Sequence, residues 1–381
     1  MNAGRAMRDR VTRRRALELG LGGAASAYLA ACGGTSGKPK RAGRDTSGVR
    51  ADAQVEDKLV IGNWVDFQSP ENLERFARQT GVELVKGSYG SEEELLAKLD
   101  AGGSRYDIVV PGSGRLQTMI QRGTAMALNH DLLPNLRHLK PAFADPRYDP
   151  GNRHSVPKDY GITSFWWRTA AVKEEPRTFA ECFALLPRLK GARVNFIESS
   201  NETINAALAA TGSSINATDD AALNRARDLL LEVKPYIDTI SATYIERGQR
   251  GEIDFGLGYN GDVHRIQRAR AKQGDEVKFL IPEGRAQSYV DLWVIPADAA
   301  HPVAAHKFIN SILEPRAAAR EMGYTGFGVP VAGVERYQPK LARDPVVSIP
   351  EEAIRHYEVA GPYPPEVARK RNTIYTRFKS A

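Results

Sequence analysis

Residues 58–76 read KLVIGNWVDFQSPENLERF, and this stretch decides the fold class. It starts with a short apolar strand pattern at 58–62 and ends in a helix start, with Ser69 as the capping residue and Pro70 in the first turn. The next segment repeats this order, with a strand pattern at 82–85 and a capping box at 91–94. A chain that alternates strands and helices predicts mostly parallel sheets flanked by helices.

The alternation continues through the rest of the chain. Further strands are predicted at 106–111, 193–197, 253–259 and 276–281, and further helices at 200–210 and 219–233. The chain is long enough for two such α/β units. Two units joined side by side leave a cleft, which is a favoured place for small ligands. In parallel sheets, ligands bind at the carboxyl ends of the strands.

The N-terminal segment has the pattern of an export signal. Six arginines lie between residues 5 and 15, and residues 16–31 carry a single charge, Glu18. The apolar run is shorter than the about 20 residues that cross a bilayer. It ends in LAACGG at 29–34, which is typical of a lipobox with Cys32 as the lipidated residue. The sequence TRRRAL at 12–17 also fits the twin-arginine export pattern.

These features predict a signal peptide at 1–31 and a lipidated Cys32 followed by a flexible tether to residue 57. The alternative is a basic tail in front of an ordinary helix. The tether contains almost no apolar residue, so it cannot bury a core. Cleavage before Cys32 removes six arginines and two acidic residues, so the net charge falls from +7 to about +3. The positive net charge of the whole chain therefore does not indicate nucleic-acid binding. We expect a periplasmic or cell-surface protein anchored to the outer face of the cytoplasmic membrane.

The chain has only two cysteines, Cys32 and Cys182. If Cys32 carries lipid, no disulfide can form, and Cys182 lies in an apolar helical pattern that predicts a buried packing residue.

Motifs for metal, cofactor or catalysis are missing from the sequence. The seven histidines show no zinc-binding spacing, and no phosphate loop, dinucleotide fingerprint or Gly-x-Ser-x-Gly elbow occurs. We therefore expect no metal and no cofactor. The segment PGSGR at 111–115 comes nearest to a nucleophile loop. Because no His or acidic residue is placed to activate it, Ser113 is interpreted as a helix cap whose neighbouring N–H groups contact ligand. An enzyme at Ser113 is the rival hypothesis.

Five segments resemble the periplasmic spermidine/putrescine-binding proteins in order and spacing. They are KLVIGNWVDF at 58–67, YDIVVP at 106–111, GEIDFGLGYNG at 251–261, YVDLWVIPA at 289–297 and MGYTGFGVP at 322–330. The resemblance implies a type II, two-lobed periplasmic-binding-protein fold. Lobe 1 would comprise 58–160 plus 291–335, and lobe 2 would comprise 161–290 plus 336–381. It also implies an ABC permease and an ATPase as partners, and a monomeric receptor.

The resemblance also implies a site for a polyamine or a related organic cation. Such a ligand needs spaced carboxylates for its ammonium groups and aromatic faces for its methylenes. The implied ligand-binding residues are Trp64, Phe67, Ser113, Ser199, Glu202, Tyr259, Tyr289 and Asp291. Phe67 stands where a Tyr is expected, and Tyr259 and Tyr289 stand where the family has Trp.

Three departures from the family pattern concern the charge and lining of the site. Ser199 replaces an Asp, Gly112 and Gly114 replace a Ser and a Tyr, and Val65 replaces a Thr. The loss of one acid and one ring suits a shorter or less charged cation better than a long polyamine.

Several of these residues have a second interpretation. Glu202 completes a capping box with Ser199 and is either a cap or a ligand contact. Trp64 is either a core residue or a cleft wall. Asp291 lies in an otherwise apolar strand, where an unpaired carboxylate is costly, so a functional role is favoured. Arg115 is either a solvated helix residue or the partner of a ligand carboxylate, in which case the ligand is a zwitterion or an anion. A sensor subunit without transport is a further alternative.

Overall fold

The computed structural model describes residues 49–102 and 105–381. The predicted signal peptide, the predicted lipidation site Cys32 and most of the predicted tether lie outside the described residues.

The nine strands of the described residues are distributed along the whole chain. They are β1 (Lys58–Asn63), β2 (Glu83–Ser88), β3 (Val156–Arg168), β4 (Val194–Ile197), β5 (Thr239–Ser241), β6 (Phe255–Tyr259), β7 (Val277–Phe279), β8 (Gln287–Trp293) and β9 (Glu358–Val359).

Thirteen α-helices of the described residues connect and cover these strands. They are α1 (Pro70–Thr80), α2 (Glu92–Ala101), α3 (Ser113–Gln121), α4 (Pro141–Ala144), α5 (Phe179–Leu185), α6 (Ser200–Ala210), α7 (Asp220–Val233), α8 (Tyr244–Gln249), α9 (Asn260–Ala271), α10 (Pro302–Ile312), α11 (Pro315–Thr325), α12 (Glu351–His356) and α13 (Pro365–Ser380).

Local sequence signals explain where the predicted helices start. Pro70 opens α1 directly after Ser69, and the Ser91 side chain accepts the backbone N–H of Glu94 at the start of α2. Helix α6 spans Ser200–Ala210, as predicted. Cys182 is buried in α5, as expected, and burial raises the pKa of its thiol well above the ordinary value.

The strands form two sheets with a mixed arrangement. Strands β1 and β2 pair in parallel, and the larger sheet has the order β5-β4-β6-β3-β8-β9, with β7 also paired to β3. Strand β3 runs antiparallel to β6, β7 and β8, whereas β4–β5, β4–β6 and β8–β9 are parallel. The predicted α/β class is confirmed.

Residues 106–111 do not form the continuous strand that the sequence predicts. Ile108 bridges Ile61 in parallel, whereas Val109 bridges Val294 and Gly112 bridges Asp291 in antiparallel fashion. Because neighbouring residues pair on opposite sides with different strands, this segment makes single bridges instead of a continuous ladder.

Buried apolar side chains form two clusters. The first, which we call the first core, includes Leu59, Phe76, Trp293 and Phe308 and extends to Val347. The second core is built around the aromatic residues Phe165, Trp166, Phe183, Phe196 and Phe255. Strand β3 contributes to both, since Val156 lies in the first core and Phe165 in the second. Each fully buried large side chain contributes about 1.5–3 kcal/mol to stability.

Candidate functional site

The floor of the candidate site is the antiparallel pair of β3 and β8. Asp159 lies opposite Asp291, and Gly161 lies opposite Tyr289. Alternate residues of a strand point to the same face, so Gln287, Tyr289 and Asp291 share one face of β8. Thr163, further along β3, lies opposite Tyr259 of β6. This register brings Tyr259, Tyr289 and Asp291, three of the predicted site residues, to one place.

Four aromatic rings form a continuous row, which we call the ring wall. Tyr259 meets Tyr289 at a centroid distance of 5.5 Å, Tyr289 meets Phe327 at 6.3 Å, and Phe327 meets Phe67 at 5.4 Å, all edge to face. Edge-to-face contacts of this kind stabilise the arrangement beyond area burial. The wall thus includes three predicted residues, Phe67, Tyr259 and Tyr289, and one that was not predicted, Phe327.

Hydrogen bonds fix the position of the Tyr289 ring. Its hydroxyl donates to Asn260 Oδ1 at 3.0 Å, and the same oxygen accepts the backbone N–H of Ile162 at 3.1 Å. The Asn260 amide nitrogen donates to the Val346 carbonyl at 2.8 Å. Since Asn260 is fully buried and bonded on both sides, Tyr289 is held without a ligand.

Trp64 lies apart from the ring wall. Its ring packs edge to face on Tyr89 at 4.9 Å, and its indole N–H donates to the Val110 carbonyl at 3.0 Å. It is half-buried, whereas Val65 and Asp66 beside it are exposed. Trp64 therefore has a fixed polar edge and a partly accessible surface.

One end of the floor carries two facing carboxylates. Asp159 is 1% exposed and its Oδ2 accepts the Lys158 ammonium at 2.5 Å, whereas its Oδ1 has no hydrogen-bond partner among the described residues. Asp291 is half-buried. Burial and, after it, the charge of Asp159 raise the pKa of Asp291 well above its ordinary value. Burial also raises the pKa of Asp159, opposed by Lys158. A cation placed at this end would favour the ionised form of both carboxyls.

The other end carries Glu202. Its Oε1 accepts the Gln287 amide at 3.1 Å, and its Oε2 has no hydrogen-bond partner among the described residues. Burial raises the pKa of Glu202, opposed by the neighbouring Thr163 hydroxyl and the Gln287 amide. The Glu202 N–H donates to Ser199 Oγ at 3.4 Å, but the Glu202 carboxylate bonds Gln287 and not the backbone of Ser199. Only the serine half of the predicted capping box is thus formed.

A buried relay holds Gln287 in place. Asn205 donates to Gln287 Oε1 at 2.5 Å, and the Arg371 guanidinium donates to Asn205 Oδ1. The Arg371 guanidinium also lies 4.2 Å from the centroid of the Tyr363 ring. Helix α13 therefore orients the Glu202 end of the site through two side chains.

Asp262, at the start of α9, is a further acid near the rings. Its Oδ2 accepts the Tyr244 hydroxyl at 2.5 Å, and that hydroxyl oxygen accepts the backbone N–H of Tyr259 at 3.2 Å. Burial raises the pKa of Asp262 from 3.8 to about 6.

Two interpretations of the loop at 111–115 need correction. Ser113 is the first residue of α3 and not its cap, because Gly112 occupies the cap position and its N–H donates to Glu92 Oε1 at 3.0 Å. The buried Ser113 hydroxyl has no hydrogen-bond partner among the described residues. Arg115 is only partly exposed, and it is not free to meet a ligand carboxylate, since its guanidinium pairs with Glu92 at 2.6 Å and Glu93 at 2.8 Å.

The two glycines of this loop allow a close approach of the chain. A Cβ at Gly114 would lie 2.2 Å from the carbonyl oxygen of Ala360, and a Cβ at Gly112 would lie 2.8 Å from Glu92 Oε1. The backbone at 360 therefore occupies the space that a side chain at 114 would need. A ring at 114 would clash with this backbone.

Sequence reasoning did not identify Lys158, Asp159, Gln287 or Phe327 as site residues. The pair Lys158-Asp159 carries a usable signal, because two charges interrupt an otherwise apolar strand, as Asp291 does in β8. Gln287 and Phe327 carried none, since their roles depend on contacts between distant segments.

Metal ligation and membrane spanning have no structural basis in the residues that the structure describes. No group of three or more His, Cys, Asp or Glu within 49–102 and 105–381 could hold a metal ion. No helix in these ranges combines the length and the apolar character that a membrane span requires.

Known proteins with this sequence pattern are solute-binding proteins. Residues 72–348 match the family model described as bacterial extracellular solute-binding protein. The chain is similar to the putrescine/cadaverine-binding protein of Pseudomonas aeruginosa, at 32% identity over 74% of this chain and 82% of that protein. It is also similar to the putrescine-binding periplasmic protein SpuD of the same species, at 30% identity over 86% of this chain and 94% of that protein.

Solved structures show the same fold. The spermidine/putrescine ABC transporter substrate-binding protein PotD of Streptococcus pneumoniae superposes with a TM-score of 0.74 at 24% identity, over 85% of this chain and 99% of that chain. The Tp0655 (TpPotD) lipoprotein of Treponema pallidum gives a TM-score of 0.74 at 23% identity, over 84% and 99%. The predicted two-lobed fold is thereby confirmed.

Proposed function

Because the chain belongs to the bacterial extracellular solute-binding protein family, we propose that it captures a small organic cation of the polyamine class for an ABC importer. The observation that carries the proposal is the ring wall lying between two acidic ends, Asp291 with Asp159 and Glu202 with Gln287. Relatives named for putrescine support the same ligand class.

The chemistry of the floor suits a diamine. One ammonium pairs with Asp291, which is half-buried, and the other is directed towards Glu202, whose Oε2 lacks a partner among the described residues. The methylenes and the charges both lie against the Tyr259 and Tyr289 rings, with Trp64 closing one side. Gln287 and Asp291 lie on the same face of β8, so the two acidic ends follow one another along the floor.

Capture is coupled to lobe closure in this proposal. Strand β3 contributes to both cores, so bending near the β3–β8 pair changes the opening of the cleft while each core stays intact. The closed, liganded monomer is the form that the permease recognises, and the ATPase of the importer drives uptake.

Isothermal titration of the purified protein tests the ligand class. We expect binding of putrescine and cadaverine, weaker binding of spermidine, and no binding of butane-1,4-diol, which has the same methylenes without charge. The absence of heat with every amine at millimolar concentration would refute the proposal.

The rival ligand class, a zwitterion or an anion, depends on a free Arg115. Because Arg115 is paired with Glu92 and Glu93, we expect Arg115→Ala to leave amine binding nearly unchanged. Loss of all ligand binding in this variant, with heat from an amino acid in the wild type, would support the rival class instead.

We also propose that Cys32 carries the lipid that holds the receptor at the membrane. The basic segment, the short apolar run and the LAACGG sequence support this. In a bacterial host, Cys32→Ser is expected to move the protein from the membrane fraction to the soluble fraction. Cys182→Ser is the matched control and is expected to stay with the membrane. Equal fractionation of the two variants would exclude lipidation at Cys32.

A further inference from the structure

Lys158 occupies an irregular position in the floor of the site. Pro157 pairs with Leu292 and Asp159 pairs with Asp291, so Lys158 is an extra residue of β3 without a partner on β8. Such a β-bulge redirects a side chain, and bulges are frequent beside functional sites. The Lys158 side chain is buried, with only 5% of the residue exposed, which is unusual for a lysine. Lysine is rarely buried unless it is paired.

The Lys158 ammonium contacts both an acid and a ring of the site. It lies 2.5 Å from Asp159 Oδ2 and 3.6 Å from the centroid of the Phe67 ring. The Trp293 ring is also near, at 5.5 Å. Phe67 is the last ring of the ring wall. A protein ammonium therefore already covers one face of a ring that the family resemblance assigns to the ligand.

Lys158 also determines the charge that the acidic end presents. Without it, the facing carboxylates of Asp159 and Asp291 carry two negative charges when ionised. The ion pair with Asp159 leaves one net negative charge at this end. Glu321, a further buried acid, accepts the Ser69 N–H and the Asn72 amide. Burial raises the pKa of Glu321 and the charge of Lys158 opposes this rise, so Lys158 acts on Glu321 as well as on Asp159.

We propose that Lys158 is a resident ammonium that sets the ligand specificity of the cleft: it covers Phe67 and neutralises Asp159, so that this end accepts a single ammonium. The inference rests on the proposed function. A diamine satisfies the two ends of the site, whereas the additional ammonium of a triamine meets the fixed charge of Lys158. Repulsion by a like charge is an effective way to reject a competing ligand.

A charge cycle on the full-length protein tests the inference. Putrescine and spermidine are titrated into the wild type, Lys158→Met, Asp159→Asn and the double variant, with circular dichroism to verify folding. Lys158→Met adds one net negative charge, so the spermidine-to-putrescine affinity ratio is expected to rise at least about tenfold. Asp159→Asn removes one negative charge and is expected to lower the ratio. The double variant restores the net charge and is expected to return the ratio towards wild type.

Two controls keep the outcomes distinct. Lys307→Met removes an exposed lysine on α10 and is expected to leave the ratio unchanged. If Lys158→Met does not fold, the comparison of Asp159→Asn with the double variant still decides the question, because the inference requires the second change to restore the ratio that the first lowers. A folded Lys158→Met with the wild-type ratio, or single variants that shift the ratio in the same direction, would overturn the inference. A wild type that binds neither amine would instead refute the proposed function.

Discussion

Replacing Asp291 by Asn separates a binding role of this carboxylate from a structural one. The change removes a negative charge and preserves the shape of the side chain. Asp291 lies opposite Asp159 on the site floor, and burial together with that neighbouring charge raises its pKa well above the ordinary value. In the empty protein, the ionised form of Asp291 is therefore disfavoured.

Binding and stability are expected to change in opposite directions. A hydrogen bond to a charged group contributes about 1.5–3 kcal/mol, so Asp291→Asn is expected to weaken putrescine binding by about 10- to 150-fold. The same variant is expected to raise the free energy of unfolding at neutral pH. A carboxyl whose pKa is raised by folding stabilises below its unfolded pKa and loses that contribution as pH rises. Asn does not ionise and avoids this loss.

The pH dependence provides a further measurement. An ammonium binds the ionised form of Asp291, so binding releases a proton, and the affinity of the wild type is expected to increase with pH. This increase is expected to be smaller in Asp291→Asn. Titration calorimetry across pH and urea unfolding measure both properties, with the exposed Asp66→Asn as the control. Unchanged affinity, or weaker binding accompanied by lower stability, would contradict the argument.

Three further variants address the surroundings of the site. Asp262→Asn is expected to flatten the dependence of the free energy of unfolding on pH between pH 4 and 6. Ionisation of Asp262 over this range costs the wild type about 3 kcal/mol, because folding raises its pKa to about 6. The same pH dependence in the variant and the wild type, measured by urea unfolding, would contradict this. Gly114→Ala places a Cβ 2.2 Å from the Ala360 carbonyl and is expected to destabilise by about 1–3 kcal/mol, whereas Gly90→Ala, 3.6 Å from Glu94, is the tolerated control in thermal denaturation. Arg371→Met releases Asn205 and is expected to cost about 1.5–3 kcal/mol and to weaken putrescine binding, and a loss of stability alone would assign Arg371 a purely structural role.

Sequence patterns predicted the elements of this fold better than the contacts between them. The alternation of strands and helices, the start of α1 at Pro70 and the cap at Ser91 follow from local chemistry. The same holds for Asp291, which stands out as a carboxylate in an apolar strand. By contrast, the Glu202 carboxylate is directed by Gln287, which is 85 residues away in the chain. The interpretation of Glu202 as a complete capping box failed for this reason.

The loop at 111–115 shows a second limit of prediction from sequence patterns. The family resemblance places a pocket ring at 114, whereas in the structure Gly114 makes room for the backbone at Ala360. Similarly, the single bridges of Ile108 and Val109 depend on two different neighbouring strands, which a local pattern does not reveal. What sequence could not provide was the register between segments far apart in the chain.

The bulge at Lys158 has a consequence for how receptors of this type diverge. Deletion of this one codon would join Pro157 directly to Asp159, in register with Leu292 and Asp291, and would remove the cation in the same event. If Lys158 sets specificity as proposed, one in-frame deletion would both regularise the β3–β8 ladder and change the ligand preference.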